Sequence, residues 1–172
     1  MRDKFFSITF LILLLAAAAF SQIRGPAETV TAFYKYSNAR STIFDRRHIE
    51  SRKQWYTPEF YTAFRTLLRK DQGQLKKHPT DKPFFGDGLD FRPLNEACDV
   101  NGKQYYRRRS IGRTIIKKNR ADVDVRFAYP KSCTIEPIVW RIRLWKVSGK
   151  WLIADQIYED GSTLTKDMSE HR

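Results

Sequence analysis

Residues 137–158, PIVWRIRLWKVSGKWLIADQIY, read as two long strands joined through Ser148-Gly149-Lys150. Side chains alternate across a strand, so Trp140, Ile142 and Leu144 share one face of the first strand. Val139, Arg141, Arg143, Trp145 and Val147 share the other. On the second strand Trp151, Ile153, Asp155 and Ile157 oppose Leu152, Ala154, Gln156 and Tyr158. Bulky apolar groups on both faces predict a central hairpin of a curved sheet, covered on both sides.

Working outward from this hairpin, the rest of the chain divides into a helical first half and a strand-rich second half. Pro26 to about Ala39 predicts a helix with Pro26 at its start, Glu28 in its first turn and a stripe of Val30, Phe33, Tyr34 and Ser37. A polar stretch from Ser41 to Lys53 predicts a short second helix carrying Ile43, Phe44, His48 and Ile49. The third is marked most clearly, by Thr57 as N-cap, Pro58 at the first helical position and Glu59 at the positive end. Phe60, Ala63, Phe64, Leu67 and Leu68 then recur at helical spacing until Asp71-Gln72-Gly73. Residues 82–90 are rich in turn formers, and strands are predicted at Tyr105–Arg109, Ser110–Lys117 and Ala121–Tyr129. In the last of these, Val123, Val125 and Phe127 face one way. Helices first and an antiparallel run afterwards define an α+β class.

The N-terminus speaks to compartment. Arg2 and Lys4 precede an apolar run from Phe5 to Phe20, and Ala19-Phe20-Ser21 offers small residues at a signal-peptidase spacing. A membrane anchor is the alternative, but the run is shorter than the ~20 apolar residues that a spanning helix needs. The expectation is therefore a signal peptide over residues 1–21, export to the periplasm or medium, a single domain over residues 22–172, and no span after cleavage. Loss of Arg2, Asp3 and Lys4 with that peptide lowers the formal charge from +13 to +12, so the exported chain stays strongly basic. Four Trp, eight Tyr and twelve Phe suffice for one core and argue against disorder.

Cys98 and Cys133 are the two cysteines. In an oxidising compartment an isolated pair reads first as a disulfide, here beside the turn-like Asp99-Val100-Asn101-Gly102 and Pro130-Lys131-Ser132. The alternative is two buried thiols that never meet. Neither a CxxC spacing nor a His/Cys cluster is present to suggest redox catalysis or structural zinc.

Phe33-Tyr34 on a helix, Tyr56-Thr-Pro-Glu-Phe60 opening another, and Lys82-Pro-Phe84 after it resemble the domain of unknown function DUF3828, within the nuclear transport factor 2-like (NTF2-like) superfamily. The ending Gly149-Lys-Trp-Leu-Ile-Ala-Asp-Gln-Ile157 is similar to that superfamily's closing strand, and Asn119-Arg-Ala-Asp-Val-Asp-Val125 to its middle strand. The resemblance covers about residues 25–165. It implies N-terminal helices packed against a strongly curved antiparallel sheet, a cone with a concave pocket. The superfamily holds isomerases, dehydratases, ligand binders and interaction modules, so the fold does not decide the activity.

The residues offer three functional readings. The first is a secreted or periplasmic non-enzymatic domain that takes a small apolar ligand or a protein partner in its concave face, with no cofactor; a homodimer is one such pairing. The second is a pocket enzyme of isomerase or dehydratase type with Asp155 as general base, since an inward carboxylate would have a raised pKa. Against it stands an ion pair of Asp155 with Arg141 or Arg143 on the adjacent strand, the reading the cross-strand spacing favours; Trp145 shares their face. The third is a basic surface of Arg107, Arg108, Arg109, Arg113, Lys117, Lys118 and Arg120, flanked by Tyr105 and Tyr106, that binds anionic envelope polymers or lipids. An exported protein meets these more often than nucleic acid. Asp81, Asp87, Asp90 and Asp99 lie near glycine turns but do not reproduce a calcium-loop spacing, so no metal is expected. His48, His78 and His171 sit in polar settings without a matching acid nearby in sequence.

Overall fold

The computed structural model describes residues 24–38, 45–80 and 97–170 of the 172. The signal-peptide region, Ile43 and Phe44, the 82–90 connection and His171 lie outside the described residues.

Helix α1 spans Pro26–Asn38, α2 Arg46–Arg52, and a single 3₁₀ turn Lys53–Trp55 leads into α3, Pro58–Lys77. The predicted stripe on α1 is fully buried, with Val30, Phe33 and Tyr34 at 0% exposure and Ser37 beside them. At the start of α2 the His48 amide donates to Asp45 Oδ1, which caps the helix. Thr57 caps α3, its hydroxyl accepting from the Phe60 amide, and Pro58 takes the first helical position as the sequence predicts. The helix runs past Gly73, however. A mid-helix glycine costs only about 1 kcal/mol, and Gln74, Leu75, Lys76 and Lys77 continue the turn with cations at its negative end.

Among the described residues the second half holds two sheets. Strands β1 (Cys98–Val100) and β2 (Lys103–Tyr105) form a small hairpin turned by Asn101 and Gly102, both at positive φ. This turn sends the chain back at Tyr105, so the strand predicted over Tyr105–Arg109 divides at Tyr106–Arg107. The main sheet is open and antiparallel in the order β3 (Arg108–Lys117), β4 (Arg120–Ala128), β5 (Ile138–Val147), β6 (Lys150–Ile157). A short helix α4, Leu164–Glu170, follows. The architecture is α+β, as expected. The quoted hairpin is not central: β6 is an edge strand of the sheet.

Helices cover one face of this sheet. Val123, Val125 and Phe127 of β4, Ile142 and Leu144 of β5, and Ile153 of β6 pack against Phe33, Tyr34, Phe60 and Phe64. Each such side chain contributes about 1.5–3 kcal/mol on burial. Tyr56 stacks on Phe64 at a centroid distance of 5.3 Å, and Phe60 meets both rings edge-on at 5.3 and 4.7 Å. Among the described residues the opposite face is open. Trp145 is 47% and Val139 37% exposed, which corrects the expectation of cover on both sides.

Two one-residue bulges interrupt the ladder. In β3, Gly112 and Arg113 together stand opposite Asp124. In β6 the register shifts between Arg143–Asp155 and Leu144–Ile153, leaving Ala154 as the extra residue. A single inserted residue reverses the alternation. Trp151 and Ile153 therefore face the core, but so does Gln156, at 1% exposure, while Asp155 moves to the open face. The β6 edge is partly covered. Tyr56 bridges it in parallel at Ile153, whose carbonyl accepts from the Thr57 amide at 2.8 Å, and Thr163 bridges Ile157.

Candidate functional site

The open face of the sheet carries a ladder of charges. Asp122 of β4 pairs in register with Arg143 of β5, and Asp124 with Arg141. The guanidinium Nε of Arg143 donates to Asp122 at 3.0 Å and that of Arg141 to Asp124 at 2.9 Å. Arg120 also reaches Asp122, at 3.5 Å. Burial works to raise the Asp122 pKa, but the hydrogen bond and charge of Arg143, aided by Arg120, outweigh it and hold the carboxyl below its ordinary value. The hydrogen bond and charge of Asp124 raise Arg141.

Asp155 has a different place from either one expected. It stands opposite Arg143 in register, yet the arginines expected as its partners are taken by Asp122 and Asp124. Its Oδ1 accepts from the amide of Gln156 at 2.9 Å and from that of Thr165, in the first turn of α4, at 3.1 Å. Thr163 Oγ1 accepts from the Lys166 amide in the same turn. Asp155 is thus a long-range helix cap on the open side of the sheet, not a carboxylate inside a cone. The bulge at Ala154 causes this.

Arg143, Trp145 and Asp155 nonetheless converge. With Thr57, Phe60 and Thr165 they line a cleft of about 230 Å³ around the β6 edge; Arg141 lies outside it. Through Glu59 and Thr165 the cleft adjoins a larger groove of about 570 Å³ between α3 and α4. Ala63, Leu67, Pro58 and Met168 give this groove a mainly apolar lining, with Thr66 and Lys70 along its wall. The sequence signals for α3 predicted its buried face; the groove went unseen because α4, its second wall, was not predicted.

The expected basic surface is divided. Arg109 points to the helical side, its guanidinium 4.4 Å from the centroid of the buried Tyr34 ring, and Arg107 stacks 4.9 Å over Tyr129. Such cation–π contacts hold both close to aromatic rings and away from a common patch. Arg113 is exposed in the β3 bulge, Arg108 at the start of that strand, and Lys117, Lys118 and Arg120 at its far end.

Cys98 and Cys133 are joined by a disulfide that ties the β1–β2 hairpin to the loop after β4. With Tyr129, Val100 and Tyr105 they form a second, smaller core. Asp99 caps the hairpin turn, accepting from the Gly102 amide at 3.0 Å. Asp81, Asp87 and Asp90 lie outside the described residues. Among those described, no three His, Cys, Asp or Glu groups converge as metal ligands.

His48 is buried on α2, and His78 is exposed at the end of α3. The group that sequence reading overlooked is Arg52, 1% exposed. It donates to the Ser37 hydroxyl at 3.2 Å, to the His48 carbonyl at 3.1 Å and to the Ser51 hydroxyl at 3.2 Å, locking α2 to α1.

These features define a disulfide-linked α+β protein with one helix-covered sheet face, one open charged face, and an apolar groove beside its last helix. Comparison with family models, with curated proteins and with solved structures returns no match.

Proposed function

We propose that this chain is an exported, non-enzymatic binding domain of NTF2-like type, and that a small, neutral, apolar molecule occupies the groove between α3 and α4. The groove carries the reading. Its volume of about 570 Å³ falls within the range of about 300–1,000 Å³ usual for small-molecule sites, and Ala63, Leu67 and Met168 supply apolar walls. The helix-facing side of the sheet, where a cone would hold its ligand, is filled by Phe33, Tyr34, Phe60 and Phe64, so the binding place moves to the next concavity. The order of helices before an antiparallel sheet agrees with the NTF2-like assignment. The Cys98–Cys133 bridge agrees with export, because disulfides persist in oxidising compartments.

The test is titration with Nile red, a neutral apolar dye, against the wild type, Ala63→Trp and Thr66→Trp. Filling the groove weakens dye binding by about tenfold or more in both variants. Equal binding by the wild type and the exposed-wall variant Thr66→Trp would overturn the proposal.

A further inference from the structure

Two hairpin tips stand side by side at one end of the main sheet. Lys118 and Asn119 turn β3 into β4, Ser148 and Gly149 turn β5 into β6, and the Lys146 amide donates to the Asn119 carbonyl at 2.7 Å. Lys117, Lys118 and Arg120 lie on the first tip, Lys146 and Lys150 on the second, and all five are exposed. No acidic residue occurs from Ile116 to Ala121 or from Leu144 to Leu152. Arg120 reaches Asp122; among the described residues the four lysines form no ion pair.

The same end exposes two large apolar side chains, Ile116 at 56% and Trp145 at 47%. Ile116 pairs with Ala121 and Trp145 with Arg120, so they occupy opposite faces of the sheet at its tip. Two strand spacings of ~4.8 Å separate their strands. Lys146 pairs in register with Trp151 and lies 5.8 Å over its ring, which places its ammonium on the same face as Ile116.

We propose that this end of the sheet docks edge-on against an anionic lipid bilayer. The cations meet the headgroup charge, while Trp145 and Ile116 enter the interfacial layer from either face of the sheet. A tryptophan is suited to that layer because its ring is apolar and its N–H polar. A soluble polyanion would satisfy the five cations and leave both apolar groups in water; a bilayer accommodates both. Charge and apolar exposure coincide at the two tips, which favours the lipid surface.

The experiment is co-sedimentation of the full chain with vesicles of phosphatidylglycerol and phosphatidylcholine, against phosphatidylcholine alone. Residues 1–23 are common to every variant, so differences between variants report on the tips. The triple variant Lys117→Gln/Lys146→Gln/Lys150→Gln is expected to bind anionic vesicles about a hundredfold more weakly, near fivefold per cation. Trp145→Ala weakens vesicle binding without weakening binding to dextran sulfate. Brominated lipid quenches the wild-type fluorescence more than that of Trp145→Phe. Arg108→Gln, at the other end of β3, leaves vesicle binding within about twofold, since its charge is more than a Debye length of ~10 Å away. Vesicle binding that ignores the three lysines, or an equal loss on dextran sulfate from Trp145→Ala, would overturn the proposal.

Discussion

Asp155 faces Arg143 across the β5–β6 ladder, yet the two serve different partners: Arg143 holds Asp122, and Asp155 holds the first turn of α4 through the Thr165 amide. Asp155→Ala therefore loosens a helix rather than breaking an ion pair. The expected loss is about 1 kcal/mol, the usual cost of a lost cap. Asp155→Asn, which keeps an acceptor oxygen, retains most of it. Urea unfolding of both variants decides this, and equal losses would point to charge instead.

Arg52 carries the junction of α1 and α2. Arg52→Ala removes the hydrogen bonds to Ser37, His48 and Ser51 and leaves a space in a packed interior, at an expected cost of about 3 kcal/mol. Arg52→Lys recovers little, because an ammonium does not reproduce the fork of donors. Thermal melts of both variants provide the measurement.

The Cys98–Cys133 bridge closes a long loop, for which chain entropy predicts about 3–4 kcal/mol. The double Cys→Ser variant is expected to melt earlier by a corresponding amount. Non-reducing peptide mapping of the wild type checks the linkage directly.

Acid weakens the open face. Because the folded pKa of Asp122 is depressed, its contribution is complete above the unfolded value, about 3.9, and is lost as pH falls through the folded value. Arg143→Met removes the main opposing influence, so the carboxyl titrates at higher pH. Carboxyl-carbon NMR of Asp122 in the two proteins shows the difference.

Alkali acts elsewhere. Burial first, then the charges of Asp167, Asp155 and Asp160, push the Tyr158 phenol up to about 12 from 10.0. Its contribution to stability is complete below 10.0 and is lost as pH rises through about 12. Ultraviolet titration is expected to show the Tyr158 phenol ionising at about 12, and Asp167→Asn brings it earlier.

Much of this fold is legible in the chain because its signals are local. Thr57-Pro58-Glu59 opens α3 and the Val30-Phe33-Tyr34 stripe buries α1, each within a few residues of sequence. Two decisive features are not local. The bulge at Ala154 leaves no mark in WLIADQI, which reads as unbroken alternation, so Asp155 and Gln156 exchange faces unannounced. Helix α4 takes part of its capping from Asp155 on β6, and a segment of seven residues has little periodicity of its own. The candidate site suffers for both reasons. Arg143, Trp145 and Asp155 were legible as neighbours, but the groove needed α4, and Arg52 is a polar letter in a polar run.

The bulge of Gly112 and Arg113 in β3 bears on how copies of this chain behave toward one another. Among the described residues no strand pairs with the outer side of β3, whereas the β6 margin is covered by Tyr56, Thr57 and Thr163. An unpaired margin invites another chain to add its backbone and continue the sheet. Here the extra residue interrupts the run of amides and carbonyls, and Arg108, Arg113 and Lys117 bring like charges to any identical margin that approaches. The irregularity therefore protects the molecule in concentrated solution from fibrous growth, at a margin that none of the described strands covers.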